Sequence, residues 1–533
     1  MIERVVENWL SSTTERGYQI PFTQILTLDG HEVLYVSKHG QMEQGKDIIT
    51  LDAQRGPCAY QLKAGDINLQ KWREIESQIH ELVELPLVHP SIDKTAPFKA
   101  YLVTNGEVED TVRRLIDDRN SLWQSKGLPP LYLVTKGELL RKFSDAHESF
   151  LPEGIISMRN FLELYLANGR DFVDKPKLAT FLEELLLYDS ANTSNEKLRQ
   201  RIASAAVIAQ CLIAPFEREQ NHVGILECWV LFCAYVLALA DRSTLPNEFW
   251  RPTFDLVIQR ICEQLDDLRT EFLTKKNYIE QPALGDGGVV YQARLTIVLG
   301  WLCGHELFRM TNSSNRAYDH TLIAIIQQKS KDWLWYWGES GTPFHLMASL
   351  FAQIVDPDLS WKIILNMLVE ASNVVDSKGT EVLLANPYIP VDKIIETRMP
   401  FRQHSPNREE FSGFGYHVST LVYYAAMLDK RTALNELWKN LSKVYIREYK
   451  PKHRWHYFIW KSDEGREVGW FLNRTQSWSQ LKELATKRED TLPRILYDNP
   501  KFLFYFLLVC PHRLTPEALR LLHDEASQVH GGK

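Results

Sequence analysis

The sequence predicts a two-part chain: an α/β domain over residues 1–150, then a large all-α region over 155–533 made of one or two subdomains. Three observations predict this. Up to about Pro152, runs with helical spacing alternate with short runs rich in β-branched and aromatic residues. Beyond that point the spacing is helical almost without interruption. The composition, 533 residues at 44% hydrophobic and 24% charged, is that of a globular chain long enough for several domains and excludes a disordered, collagenous or coiled-coil protein.

Met1–Leu10 sets Ile2, Val5, Val6, Trp9 and Leu10 on one helical face, and Gly17-Tyr18 is read as its break. Strands follow at Glu32–Ser37, Asp47–Leu51 and Cys58–Leu62, separated by Gly, Asp and Pro. An amphipathic helix spans Leu69–Leu85. Strands Phe98–Thr104 and Leu131–Thr135 flank a helix over Val108–Lys126. The order αβββαβαβ describes a small α/β domain whose later strands are buried on both faces.

In the second part, Met158–Leu166, Lys177–Leu187, Leu198–Ile213, Thr253–Leu273 and Pro516–Ser527 have helical spacing, the last opened by Thr515 as N-cap and Pro516 at the first helical position. Val223–Ala240 carries a single charge, Glu227, and brushes the length of a membrane span; the neighbouring apolar runs favour a buried core helix and no membrane. The seven cysteines show no CxxC spacing, which speaks against a zinc site and for a reducing compartment. With no apolar leader after Met1-Ile2-Glu3-Arg4, the expectation is a cytoplasmic protein. A net charge of −7 excludes a basic nucleic-acid coat, so any phosphate contact must come from a local patch.

The chemistry concentrates in Gly45-Lys46-Asp47-Ile48 and Tyr60-Gln61-Leu62-Lys63-Ala64-Gly65. If the two runs are neighbouring antiparallel strands, the period of two turns Gln61 and Lys63 to one side, within reach of Asp47. A carboxylate, an amide oxygen and an ammonium then gather at the end of a hairpin. Hard oxygens suit Mg²⁺, with Asp47 as principal ligand and Gln61 and the Leu62 carbonyl completing the shell; Lys63 would orient a water and stabilise charge on phosphate. Taken singly, Asp47 is an ordinary turn residue and Gln61 with Lys63 an ordinary solvated strand face.

This pattern resembles the PD-(D/E)xK nuclease superfamily, and in particular its Mrr-like branch, in which the third motif commonly reads QxK instead of ExK. The surroundings are similar too: an N-terminal helix with a glutamate, Gly17-Tyr18 after it, and a late strand of the type Tyr101–Gly106. The likeness covers residues 1–150. Carried over, Asp47 matches the motif aspartate, Gln61 the third-motif ligand and Lys63 its lysine; Glu7 is favoured over Glu3 as the first-helix glutamate. The resemblance implies a restriction-endonuclease-like fold and Mg²⁺-dependent hydrolysis of DNA leaving 5′-phosphate, with Mn²⁺ as substitute, in a prokaryotic anti-phage or anti-plasmid defence effector whose helical part recognises or senses. An amide in place of the motif carboxylate favours one tightly held cation over two. Alternatives are cleavage of RNA and a nuclease-fold scaffold that is inactive or acts only once an activating protein docks. Double-strand cleavage by one site per chain would favour a homo-oligomer.

Other features read more simply. Gly40–Asp47 nearly spells a phosphate-binding loop, but Asp stands at the Ser/Thr position and a strand follows, which excludes that NTPase motif. Gln78 and His80, with Trp72 one or two turns earlier, could face substrate, but polar residues on a helix flanking a sheet read more simply as its solvent side. Asn105-Gly106 is read as a turn, Trp333–Trp337 as a buried run, and Gly285–Gly288 as a loop. Trp438–Trp460 interleaves cations with aromatics; Lys450, Lys452, Arg454 and Trp455 are its nucleic-acid-binding candidates. At helical spacing the simpler reading is an aromatic core face with a solvated basic face.

Overall fold

The computed structural model describes residues 2–37, 45–93, 95–148, 155–190, 193–275, 278–279, 287–312, 318–333, 336–373, 384–398, 411–412, 414–462, 464–473, 475–487 and 489–528. The chain divides into two compact units, Met1–Glu263 and Gln264–Lys533.

The first unit opens with α1 (Ile2–Ser12), whose Val5, Val6, Trp9 and Leu10 are buried as the spacing predicts. The chain turns at Thr13-Thr14, and α2 (Glu15–Leu28) runs straight through Gly17-Tyr18 and Pro21. The break expected at Gly17-Tyr18 is therefore displaced. The Thr14 side chain accepts the Gly17 N–H at 3.2 Å, making residues 15–17 the first turn of a new helix. A Cβ on Gly17 would lie 2.2 Å from the Thr13 hydroxyl oxygen, so any larger residue there requires the Thr13 side chain to turn away.

Strands β1 (Glu32–Val36), β2 (Ile48–Leu51), β3 (Pro57–Lys63), β4 (Lys99–Thr104) and β5 (Leu131–Val134) form one sheet in sequence order. The first two pairings are antiparallel and the last two parallel. Helices α3 (Leu69–Glu84) and α4 (Asp110–Ser125) make the crossovers, and α5 (Lys136–Glu148) follows the last strand. Side chains of period two divide between the faces. Ile49, Leu51, Ala59, Ala100 and Leu102 pack with α3 and α4, whereas Ile48, Cys58, Tyr60, Leu62 and Val103 pack with α1, α2 and α5. Burial on both faces accounts for the near-continuous apolar character of β4.

Helices α6 (Ile155–Tyr165), α7 (Lys175–Leu187), α8 (Asn195–Arg218) and α9 (His222–Arg242) belong to this same unit, so the α/β fold does not close at residue 150. Val207 and Cys211 of α8 complete the core beneath α1, α2 and α5. Helical spacing shows that α8 has an apolar face, not which core receives it. By length and composition α9 could cross a membrane; 94% of its apolar window is buried inside the structure. Its one interior charge, Glu227, meets the Lys175 ammonium at 2.8 Å, a pairing that a buried carboxylate requires. None of the seven cysteines is in a disulfide, and six are buried.

The second unit is mainly helical. Helices Gly287–Asn312, Thr342–Ala352, Pro357–Asn373 and Leu503–Val509 pack on one another at its centre. Gly287-Gly288 open the first of these, where a loop was expected; Gly285 and Asp286 lie outside the described residues. Tyr336 and Trp337 are buried as predicted. The Thr515 hydroxyl caps helix Pro516–Gln528 by accepting the Ala518 N–H at 3.2 Å. The unit is not all-α. Strands Tyr445–Pro451 and Gly465–Phe471 pair as an antiparallel hairpin, with Phe414–Gly415 parallel beside them.

Candidate active site

The register Ile48↔Tyr60 continues one step to set Asp47 opposite Gln61. The Asp47 N–H donates to the Tyr60 carbonyl at 2.8 Å and its carbonyl accepts the Ser37 N–H at 2.6 Å, so the backbone fixes Asp47 from both sides. Its side chain shares a face with Gln61, and Oδ2 accepts the Gln61 Nε2–H at 2.7 Å and the Leu62 N–H at 2.6 Å. Leu62 thus meets Asp47 through its peptide N–H. The Gln61 Oε1 is buried with no hydrogen-bond partner. A buried acceptor left in this state costs about 1–3 kcal/mol, and here it sits one amide away from a carboxylate.

The approach to Asp47 is built by its two predecessors. Gly45 has φ +69°, and a Cβ on it would stand 2.4 Å from the Gln78 carbonyl oxygen and 3.1 Å from the Leu82 nitrogen. Only glycine lets the chain pass α3 this closely. Gly45→Ala is expected to cost about 1–3 kcal/mol, measured by urea unfolding, and to displace Asp47. Wild-type stability would show that α3 simply moves aside. The buried Lys46 ammonium donates to the Glu81 carbonyl at 3.0 Å, and burial lowers it from 10.5 to about 8. Between about pH 8 and 10.5 the unfolded chain keeps a proton that the folded chain has released. Stability should therefore rise with pH across that window, by up to about 3 kcal/mol. Lys46→Met should flatten that rise; an unchanged slope in urea midpoints from pH 7 to 10 would refute this.

At the end of β3, Lys63 Nζ lies 3.5 Å from Glu15 Oε2, and Glu15 Oε1 accepts the Ala64 N–H at 3.4 Å. The buried Tyr18 hydroxyl accepts the Lys63 N–H at 3.1 Å, donates to the Lys63 carbonyl at 2.8 Å and lies 3.2 Å from the Val103 carbonyl. Burial above all, then the charge of Glu15, holds the Tyr18 hydroxyl well above its ordinary value of 10, with Asp47 adding to the effect. From the sequence, Glu7 is the favoured first-helix glutamate of the site. Glu7 is exposed on α1, and among the described residues its side chain joins none of these bonds. Glu15 is the carboxylate that reading missed.

Asn105 does more than turn the chain. Its Nδ2 donates to the Leu10 and Thr13 carbonyls at 2.6 and 3.0 Å, and its Oδ1 accepts the Gly65 N–H at 2.7 Å. It ties the α1–α2 turn to the ends of β3 and β4. Trp72 is core, Gln78 is exposed, and His80 bonds Glu84 at 2.9 Å with its ring edge-on to Trp123. The near-match to a phosphate-binding loop leads into β2, not a helix; its Gly40–Gln44 part lies outside the described residues.

The basic segment of the second unit is not one helix. Trp438 and Lys439 end helix Arg431–Leu441, Lys450 lies in strand Tyr445–Pro451, and Arg454 and Trp455 lie in a 3₁₀ turn. Acids from elsewhere in the chain or strand approach the cations: Lys450 faces Glu448 at 3.9 Å, Lys452 faces Glu464 at 3.3 Å, and Arg454 faces Asp490 at 3.6 Å. Trp455 stacks on His453 with rings 9° apart. Tyr457, Phe458 and Trp460 are buried.

A catalytic pair open to substrate would leave Asp47 and Lys63 at the domain surface; the structure buries Asp47, Gln61 and Lys63 together, at 6%, 4% and 6% exposure. Among the described residues, no group of three or more His, Cys, Asp or Glu side chains is placed to hold a metal ion. The donor set at hand is one carboxylate plus the partnerless amide oxygen of Gln61. These are hard oxygens that fit Mg²⁺ or Mn²⁺ and not the nitrogen–sulfur set of zinc. No family model matches the chain, and no curated protein or solved structure matches it at a significant level.

Proposed function

We propose that the chain is a Mg²⁺-dependent nuclease that hydrolyses phosphodiester bonds in DNA. The observation that carries the reading is the alignment of Asp47 with Gln61 across two strands, Lys63 two residues on, and a buried Gln61 Oε1 with no partner. Asp47 and Gln61 would hold the ion, which when bound polarises the phosphoryl oxygen and acidifies a water. Lys63 supplies positive charge where negative charge grows on the phosphate, and orients the attacking oxygen. The restriction-endonuclease-like identity of the α/β part, and a role in defence against phage or plasmid DNA, rest on the motif resemblance alone.

The test is plasmid nicking with Mg²⁺ or Mn²⁺, in competition with labelled RNA, comparing wild type with Asp47→Asn. Preferential cutting of RNA would move the substrate to the other nucleic acid. Wild-type rates in Asp47→Asn would end the proposal. The near-complete burial of Asp47, Gln61 and Lys63 favours one variation, in which cutting begins only when a partner or the substrate opens the site. Purified wild-type protein that cuts only after an added cell fraction supplies a partner would support it.

A further inference from the structure

A lysine amine on a four-carbon stem has many rotamers, and a reaction that depends on its direction needs it held. In this chain both ends of Lys63 meet the first turn of α2. Glu15 and Tyr18 stand three residues apart, which brings them to one helix face. Glu15 approaches the ammonium at 3.5 Å and accepts the next residue's N–H at 3.4 Å, while the Tyr18 hydroxyl bonds the Lys63 peptide on both its N–H and its carbonyl. The first-turn position of Glu15 itself suits a carboxylate, because the helix N-terminus carries partial positive charge. The Lys63 side chain is 8% exposed and that of Glu15 is 35% exposed, so Glu15 forms the solvent side of the pair.

We propose that Glu15 and Tyr18 act as a clamp on Lys63, with Glu15 the positioning residue that aims its ammonium and Tyr18 the one that fixes its backbone. This rests on the nuclease reading for its catalytic consequence, but the clamp is also readable without catalysis. Glu15→Gln keeps the size of the side chain and an acceptor for the Ala64 N–H, and removes only the charge. It should lower kcat roughly 10–100-fold, as loss of a partner that orients an active-site group does. KM should stay within about twofold and the melting temperature nearly unchanged, since partly exposed pairs contribute little to stability. Glu15→Asp, one methylene shorter, should recover part of the loss. Wild-type kcat in Glu15→Gln, a change confined to KM, or a loss carried by Glu7→Gln instead, would overturn the clamp. The second readout is acetylation of Lys63 by acetic anhydride, followed by mass spectrometry. It should quicken severalfold in Glu15→Gln relative to wild type, and equal rates overturn the clamp. If no nucleic acid is cut with or without the added cell fraction, yet Lys63 labelling responds to Glu15→Gln, the nuclease reading fails and the clamp stands.

Discussion

Asp47→Asn is expected to abolish nucleic-acid cleavage while leaving the sheet intact. The carboxylate serves two purposes: its Oδ2 accepts hydrogen bonds from Gln61 Nε2 and the Leu62 N–H, and its charge would hold the cation. Asparagine keeps an oxygen for the two donors and deletes the charge. The rate should fall by on the order of 10³-fold or more, the scale on which one preorganised charge-stabilising group is felt. Asp47→Ala is the poorer variant, because it strands two buried N–H groups at about 1–3 kcal/mol each and confounds lost chemistry with lost folding. Lys63→Met separates the roles. It should cost a comparable rate, yet Mg²⁺ should still raise its melting temperature, whereas in Asp47→Asn both the rate and that response should vanish. Undiminished nicking by Asp47→Asn, or a Mg²⁺ response that survives it, would show that the ion is held elsewhere.

The strands of the first unit were legible because each carries its own signal. Ile48–Leu51 and Cys58–Leu62 are short apolar runs bounded by turn residues, and their period fixes which side chains share a face. That period sets Gln61 and Lys63 on one side, and the antiparallel pairing of the two runs brings Asp47 to Gln61. What the sequence hid were facts about neighbours in space. Gly17-Tyr18 looks like a helix breaker, yet Thr14 caps a helix that contains both. That cap also puts Glu15 at a first-turn position three residues before Tyr18, the one local cue that could have preferred Glu15 to Glu7. Burial of the candidate groups depends on what covers the end of the sheet, which no local pattern encodes. In Tyr445–Pro451 aromatic and charged residues are so dense that helical and strand periods both fit. Likewise, Trp438–Trp460 contains one acid, Glu448, and nothing local in it points to Glu464 and Asp490 beside its cations.

Gln61→Glu should separate a metal site from a merely structural hydrogen bond. In the wild-type chain the Gln61 amide donates to Asp47 at 2.7 Å. A glutamate cannot donate unless protonated, so two buried carboxylates would face each other with no proton between them at neutral pH. The metal-free variant should lose about 3 kcal/mol, roughly 6–12 °C in melting temperature for a unit of this size. The sign with pH is fixed. The folded state raises the carboxyl pKa, so the deficit is present at neutral pH and fades as acid supplies the missing proton. A divalent cation supplies the same neutralisation. Mg²⁺ or Mn²⁺ should therefore restore the melting temperature, by a margin that grows with ion concentration and exceeds the shift in wild type. A purely structural role for Gln61 predicts the same loss and the same acid rescue, but no rescue by the ion at fixed ionic strength. Melting curves at neutral and acid pH, with EDTA, Mg²⁺ or matched NaCl, distinguish the two. If the variant melts like wild type in EDTA at neutral pH, Asp47 and the residue 61 side chain do not face each other as described.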